Sequence, residues 1–161
     1  MTSQNAPAGT MLGRAIAIAA RVHEKQTDRG GHAYVLHPLR AMMRLRTDDS
    51  DLMCIAVLHD SIEDSDGAVT LDSLATEGFS PRVLAALKLL THDPAEPYDE
   101  YVKRISTNKD ATRVKLEDLR DNSDITRLKG VRQKDFDRVQ KYNRAFLFLR
   151  TTLETMEKVG Y

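Results

Sequence analysis

One stretch of this 161-residue chain constrains its fold more than any other: Leu52-Met53-Cys54-Ile55-Ala56-Val57-Leu58, an unbroken apolar run followed at once by His59-Asp60-Ser61-Ile62-Glu63-Asp64. Ser50 stands before it as an N-cap, so the segment reads as a helix from residue 51 to about residue 63. A helix that is apolar on every side has no face for water and must be enclosed by other elements. The chain therefore has to surround this helix, and the polar residues at its C-terminal end have to lie at the edge of the core.

The remaining sequence supplies the enclosing helices. Leu12, Ala15, Ile16, Ala19 and Val22 recur at helical spacing after Thr10, which predicts a first helix from Met11 with Thr10 as its cap. Asp28-Arg29-Gly30-Gly31 breaks it. Tyr34-Val35-Leu36-His37 is expected to be extended, because a residue before proline is biased away from the α region, with Pro38 opening the second helix. Thr70 caps a short helix to Glu77, and Ser80-Pro81 starts another that runs through Leu90. Residues 98–106, 110 to about 122, and 135–158 carry three further helical patterns. No alternating β-type run and no internal repeat interrupts this order, so the predicted class is all-α, one domain over residues 10–161 behind a loose tail at residues 1–9. The 39 residues after Asn122 are expected to form a loop and one long helix, with no second catalytic domain.

Charge and cysteine content narrow the function. With 24 basic and 24 acidic residues the net charge is zero, so no overall field draws the chain to nucleic acid or to an anionic membrane. The distribution is uneven. Between Arg127 and Arg150 eight Lys and Arg face two Asp, which leaves this stretch at +6 and the remainder at −6; the simplest reading is a solvated helix face, and a polyanion site is the alternative. Cys54, the single cysteine, precludes an internal disulfide or a multi-thiolate zinc site, and within its apolar run it reads as a small buried hydrophobe. No basic segment followed by a long apolar run begins the chain, and a cytoplasmic protein is expected.

The chemistry concentrates at the end of the apolar helix. His59 and Asp60 offer an imidazole nitrogen and a carboxylate oxygen at the edge of a core, where a cation can be partly dehydrated. Glu63 and Asp64 lie four residues after His59 and Asp60, on the same helix faces if the helix continues that far. They could orient ligands or take a proton from a water activated by the ion. A His-Asp pair alone is a weak signal. Its specificity comes from Tyr34-Val35-Leu36-His37-Pro38 upstream and Val114-Lys115-Leu116-Glu117-Asp118-Leu119-Arg120-Asp121-Asn122 downstream.

With these three segments in this order, the stretch from about Ala15 to Asn122 resembles the HD superfamily of metal-dependent phosphohydrolases, and within it the small alarmone hydrolases related to the hydrolase domain of the Rel/SpoT enzymes. The resemblance implies an HD-domain bundle of about seven to eight helices. It implies one divalent ion, typically Mn²⁺, held by His37, His59, Asp60 and Asp118, with Glu63 and Asp64 positioning or deprotonating the attacking water. Two nitrogens and two carboxylates suit Mn²⁺ or Fe²⁺, and Zn²⁺ also accepts such donors. The implied reaction is removal of a 3′-pyrophosphate from a purine nucleotide alarmone such as ppGpp or ppApp, a small-molecule substrate. Asn122 matches the family's nucleotide-lining Asn, and Arg104, beside Lys103, corresponds to basic residues of the family that reach phosphates, an exposed helix charge being the alternative reading.

One departure concerns the base: where the family carries an adjacent Arg-Lys pair that sandwiches guanine, this chain has Asp28-Arg29, leaving Arg29 as the stacking cation. His23 is expected to structure the site, His32 to be solvated, and His92 to cap the helix ending at Leu90. Two other readings compete, an HD phosphohydrolase acting on a different nucleotide such as a 5′-phosphate, and a non-catalytic alarmone-binding module.

Overall fold

In the computed structural model, which describes residues 8–160, the apolar run forms the centre of a bundle that contains eight α-helices among the described residues. In chain order they are α1 (Ala8–Val22), α2 (Leu36–Arg44), α3 (Ser50–Leu58), α4 (Leu71–Thr76), α5 (Pro81–Leu90), α6 (Tyr98–Ile105), α7 (Lys109–Asn122) and α8 (Gln133–Lys158). α3 packs against α1, α2, α5 and α7, and all of Leu52, Cys54, Ile55, Ala56, Val57 and Leu58 are buried. Enclosure on every side is what its continuous apolar sequence requires. The Cys54 thiol lies inside this core, where burial and the nearby Asp51 push its pKa up to about 11. α8 lies along α7 through Ala145 and Leu149 and leaves most of its charged residues in water.

Local chemistry sets most helix starts. Thr70 and Ser73 form a reciprocal capping box on α4, and the Ser80 hydroxyl accepts from the Val83 amide with Pro81 at the first position of α5. Apart from shifts of one or two residues at α6, α7 and α8, four boundaries differ from the sequence reading. α1 begins at Ala8, so Thr10 is inside the helix, Ala8 and Gly9 are not tail, and the rest of that predicted tail lies outside the described residues. α3 is capped by Asp49, whose carboxylate accepts from the Leu52 amide at 3.1 Å, in place of Ser50.

The third difference is that α2 begins at Leu36, with Val35 already in the α region, so His37 is helical although it precedes proline. Pro38 sits within the first turn, where its missing N–H has no intrahelical acceptor to lose. The His37 amide donates to the Tyr34 carbonyl at 2.8 Å. The fourth is that α3 stops at Leu58 and the chain tightens into a 3₁₀ turn, Glu63–Ser65, closed by Asp66 in the left-handed region. One bond of helical type survives there, from the Asp64 amide to the Asp60 carbonyl at 3.0 Å.

Between α1 and α2 the glycine turn folds into a short hairpin. Thr27 and Ala33 form an isolated antiparallel bridge, and the Asp28 carboxylate accepts from the Gly30 and His32 amides at 2.8 and 2.9 Å. This hairpin lies directly on the segment that joins α7 to α8. A methyl group at Gly30 would meet the Arg127 carbonyl oxygen at 2.3 Å, so no larger residue fits there without displacing that segment.

Candidate metal centre

α2, the end of α3 and α7 each bring a predicted ligand to one point. His37 Nε2 and His59 Nε2 lie 3.2 Å apart, Asp60 Oδ2 is 3.5 and 3.2 Å from them, and Asp118 Oδ1 is 3.1 and 3.6 Å from them. The ligand atoms of His37, His59 and Asp60 all fall within 4.8 Å of one another, a grouping able to hold a metal ion. Both imidazoles are buried.

Hydrogen bonds on the far sides of the two rings fix their tautomers. His37 Nδ1 is 2.8 Å from Asp121 Oδ2, and His59 Nδ1 is 2.7 Å from the Ala56 carbonyl oxygen. Both partners are acceptors, so each Nδ1 carries a proton and each Nε2 turns its lone pair inward. Two lone pairs and two carboxylates therefore converge in a buried space. That arrangement needs positive charge at its centre, from protons or from a divalent cation, and the donor set fits Mn²⁺, Fe²⁺ or Zn²⁺.

The electrostatics of the cation-free state agree. Burial opposes charge on His59, but the carboxylates of Asp60 and Asp118 outweigh it and push its pKa up to about 10. His37 is likewise held well above the imidazole range, burial being overcome by Asp118, Asp121 and Asp60. Burial would raise Asp60 and Asp118, yet the histidines, and Lys115 for Asp118, hold both well below the carboxylate range. Protons on the imidazoles thus supply the charge that a metal ion would replace.

Several residues that hold this cluster escaped the sequence reading. The Tyr34 hydroxyl donates to Asp60 Oδ2 at 2.7 Å, and the ring packs, tilted, against both His23 and His37 with centroids 4.9 and 5.5 Å away. Lys115 Nζ is 2.7 Å from Asp118 Oδ2. Asp121 is fully buried and accepts from His37, from Arg40 at 2.7 and 2.9 Å, and from Arg44 at 3.0 Å, with Arg127 3.2 Å away. Burial raises its pKa, but these partners more than reverse that and hold it below the carboxylate range. Asp121 follows Asp118 by three residues, a helical spacing that marks it as sharing the ligand's side of α7. Arg127 carries no local signal of that kind.

The remaining predicted residues divide. Asn122 Nδ2 donates to Asp118 Oδ1, and Asn122 lines a cleft with Tyr34, His37, Arg29, Asp124 and Arg127. Arg29 is exposed at the edge of that cleft. Glu63 is exposed on the 3₁₀ turn and accepts from the His92 amide at 3.1 Å. Asp64 is half-buried, its carboxylate 3.8 Å from His23 Nδ1, and burial together with the Asp60 charge raises its pKa. On its other side it borders a wider cleft lined by Ile18, Arg21, Leu74 and Glu77.

Two expectations fail on geometry. Arg104 is engaged elsewhere: it chelates Glu96 at 3.0 and 2.7 Å and donates to the Leu89 and Thr91 carbonyls at the end of α5, so it acts as a C-cap and does not line the cleft. His92, expected as that cap, instead turns Nε2 to the Glu96 carbonyl at 3.0 Å. Asp28, at the place of the second stacking cation, is the acceptor that closes the hairpin and pairs with Arg127 at 2.7 Å. His23 is buried, hydrogen-bonded to Gln26 at 2.6 Å, and His32 is largely exposed.

No protein-family model matches this chain, and no curated protein matches its sequence. Among solved structures, a metazoan ortholog of SpoT that hydrolyses ppGpp and plays a role in starvation responses superposes with a TM-score of 0.70 at 20% identity, over 93% of this chain and 96% of that one. The likeness shows that the two chains share an all-α bundle fold. The His/Asp cluster described above is compatible with an HD-type metal site. No helix among the described residues is long and apolar enough to cross a membrane.

Proposed function

We propose that this chain is a metal-dependent pyrophosphohydrolase that removes the 3′-pyrophosphate from a purine nucleotide alarmone of the ppGpp or ppApp kind, with Mn²⁺ as the ion, in the cytoplasm. The observation that carries the reading is the pair of inward-facing Nε2 lone pairs converging with the carboxylates of Asp60 and Asp118, locked from behind by Asp121 and the Ala56 carbonyl. His37, His59, Asp60 and Asp118 would hold the ion. When bound, it supplies Lewis acidity, polarising phosphoryl oxygens and acidifying water.

The chain's own residues supply orientation and proton transfer. Tyr34 fixes Asp60, while Lys115 and Asn122 fix Asp118, so neither carboxylate can swing away. Asp64, with its pKa raised by burial and by Asp60, suits a group that accepts the proton of the attacking water, and Glu63 lies beside it on the same turn. Water oxygen bonds to the phosphorus next to the ribose, the P–O3′ bond breaks, and the 3′ oxygen leaves to take a proton. Pyrophosphate and a 3′-hydroxyl nucleotide result. Arg29 at the cleft edge would stack on the base.

The test is a screen of purified, Mn²⁺-loaded protein against guanosine and adenosine 3′-pyrophosphates with product identification. Pyrophosphate release is expected, and His59→Ala and Asp60→Ala should each lose the ion and turnover while remaining helical. Orthophosphate released from a 5′-monophosphate would move the chain to another HD phosphohydrolase activity. Absence of even a single turnover with bound nucleotide would make it a binding module.

A further inference from the structure

His23 is a buried imidazole to which the chemistry proposed above gives no task. It follows the last residue of α1, Val22, and is 1% exposed. Nδ1 lies 2.6 Å from Gln26 Oε1 and 3.8 Å from Asp64 Oδ2, two acceptors, so the ring carries a proton there. Nε2, on the other side of the ring, is buried without a hydrogen-bond partner. An unpartnered buried nitrogen costs stability, and an apolar side chain of similar size would fill the same space without that cost. What an apolar side chain could not supply is the polar edge at Nδ1.

Asp64 is the group that this edge faces. Among the described residues its carboxylate accepts no hydrogen bond, and its one basic neighbour within 4 Å is His23. On its other side opens the cleft lined by Ile18, Arg21, Leu74 and Glu77, about 480 Å³ in volume, where a half-buried carboxylate has room to turn into water. Arg21 stands in that cleft as a competing cation. The His23 N–H opposes both by attracting the carboxylate inward. The ring has little freedom of its own, because Gln26 holds one edge and Tyr34 packs, tilted, against it with centroids 4.9 Å apart. Tyr34 in turn donates to Asp60 Oδ2 and packs against His37. One row of rings, His23, Tyr34 and His37, thus ties Asp64 to the residues that would hold the ion.

We propose that His23 is a positioning residue: oriented by Gln26, its Nδ1–H keeps the Asp64 carboxylate turned from the solvent cleft toward the His37–His59–Asp60 cluster. The inference rests on the function proposed above and deepens it, naming what places the acceptor of the attacking water's proton. His23 acts through Asp64 and takes no proton itself. The required element is an N–H at the place of Nδ1, and ring volume is secondary.

The experiment compares His23→Leu, which keeps most of the volume and removes the N–H, with His23→Asn, which is smaller and returns an N–H near the place of Nδ1. On the Mn²⁺-loaded chain and the 3′-pyrophosphate cleaved best, His23→Leu should lower kcat at least about tenfold with KM within about twofold, and His23→Asn should run at least about threefold faster than His23→Leu. A packing role predicts the opposite order, because Asn leaves the larger void. In an Asp64→Asn background His23→Leu should change kcat by less than about twofold, since the base it positions is gone. A His23→Leu enzyme at least as fast as His23→Asn, or an undiminished effect in the Asp64→Asn background, would overturn the proposal. A second arm needs no turnover and leaves His23 in place: ¹⁵N NMR of the histidine-labelled chain without added metal. Asp64→Ala should move the His23 ring-nitrogen resonances while those of the exposed His32 stay in place, and an unmoved His23 signal would likewise overturn it. This arm decides the contact where a variant of the buried residue does not fold. It also decides the contact if no nucleotide is cleaved, an outcome in which the function proposed above falls separately.

Discussion

Replacing Asp121 with alanine should affect both stability and metal affinity, because this carboxylate joins the metal cluster to the scaffold. Its side chain is 0% exposed, and it neutralises Arg40, Arg44 and Arg127, which are 30%, 37% and 22% exposed, besides holding His37 Nδ1. Removing one partner of a buried charged network costs about 3–5 kcal/mol. The arginines retain partial access to water, which places the expected loss near the lower end, about 3 kcal/mol. For a chain of this size that corresponds to a melting point lowered by about 6–12 °C. Losing the acceptor behind a ligating imidazole also frees its tautomer, so Mn²⁺ affinity should drop about 10- to 100-fold.

Urea denaturation of the metal-free protein at neutral pH and calorimetric Mn²⁺ titration measure the two effects separately. The stability gap should narrow in acid. Asp121 has a folded-state pKa below its unfolded value, so its contribution is present above the unfolded value near 4 and is lost as pH falls through the folded one. Asp121→Asn keeps the shape and one acceptor, and should fall between wild type and alanine in both measurements. A loss under about 1 kcal/mol combined with wild-type Mn²⁺ affinity would refute the idea that this network supports the site.

Other outcomes follow from the same geometry. Mn²⁺ binding should release protons at neutral pH and tighten as pH rises from about 6.5 toward about 10, because His59 is protonated in the cation-free state over that window; titration in buffers of different ionisation enthalpy reads the proton count, and a count of zero would contradict it. By the same linkage, the stability that protonated His59 gives the metal-free protein is complete below about 6.5 and disappears as pH rises through about 10. Glu63→Gln preserves an acceptor for the His92 amide and should keep the ion while slowing kcat by about two to four orders of magnitude; near-normal kcat would reduce Glu63 to a structural role. Arg104→Ala should cost about 1 kcal/mol in urea denaturation by uncapping α5 and leave KM within about twofold, whereas a large rise in KM would restore its assignment to substrate phosphate.

What the sequence by itself determined was the class of fold and the meeting of the predicted ligands. An apolar run with no polar face forces enclosure, so α3 at the centre of an all-helical bundle was legible from Leu52 to Leu58. The three segments carrying His37, His59-Asp60 and Asp118 were legible as motifs, and the fold brings all three to one point. Helix ends were less legible. Pro38 looked like a start because local bias at His37 was read without the tertiary contacts that hold it helical, and the His59–Asp64 segment looked like a continuing helix because its spacing is the same in a tightening 3₁₀ turn.

Tertiary structure alone decided which charges serve the site. Asp28 and Arg127 are 99 positions apart in sequence, and nothing at either position announces the ion pair that turns a supposed stacking position into the closure of a hairpin. Arg104 carries the charge and helical position expected of a phosphate contact, yet α5 ends beside it and its carbonyls take the guanidinium. Lys129, Arg132 and Lys134 read in sequence as part of a solvated helix face, yet Lys129 and Arg132 precede α8, and the three line a cleft beside the docked hairpin. The physical reason is one of range: backbone preference and hydrophobic period are set by neighbours within a turn or two, whereas the partner of a long charged side chain depends on which distant elements the core places within its reach.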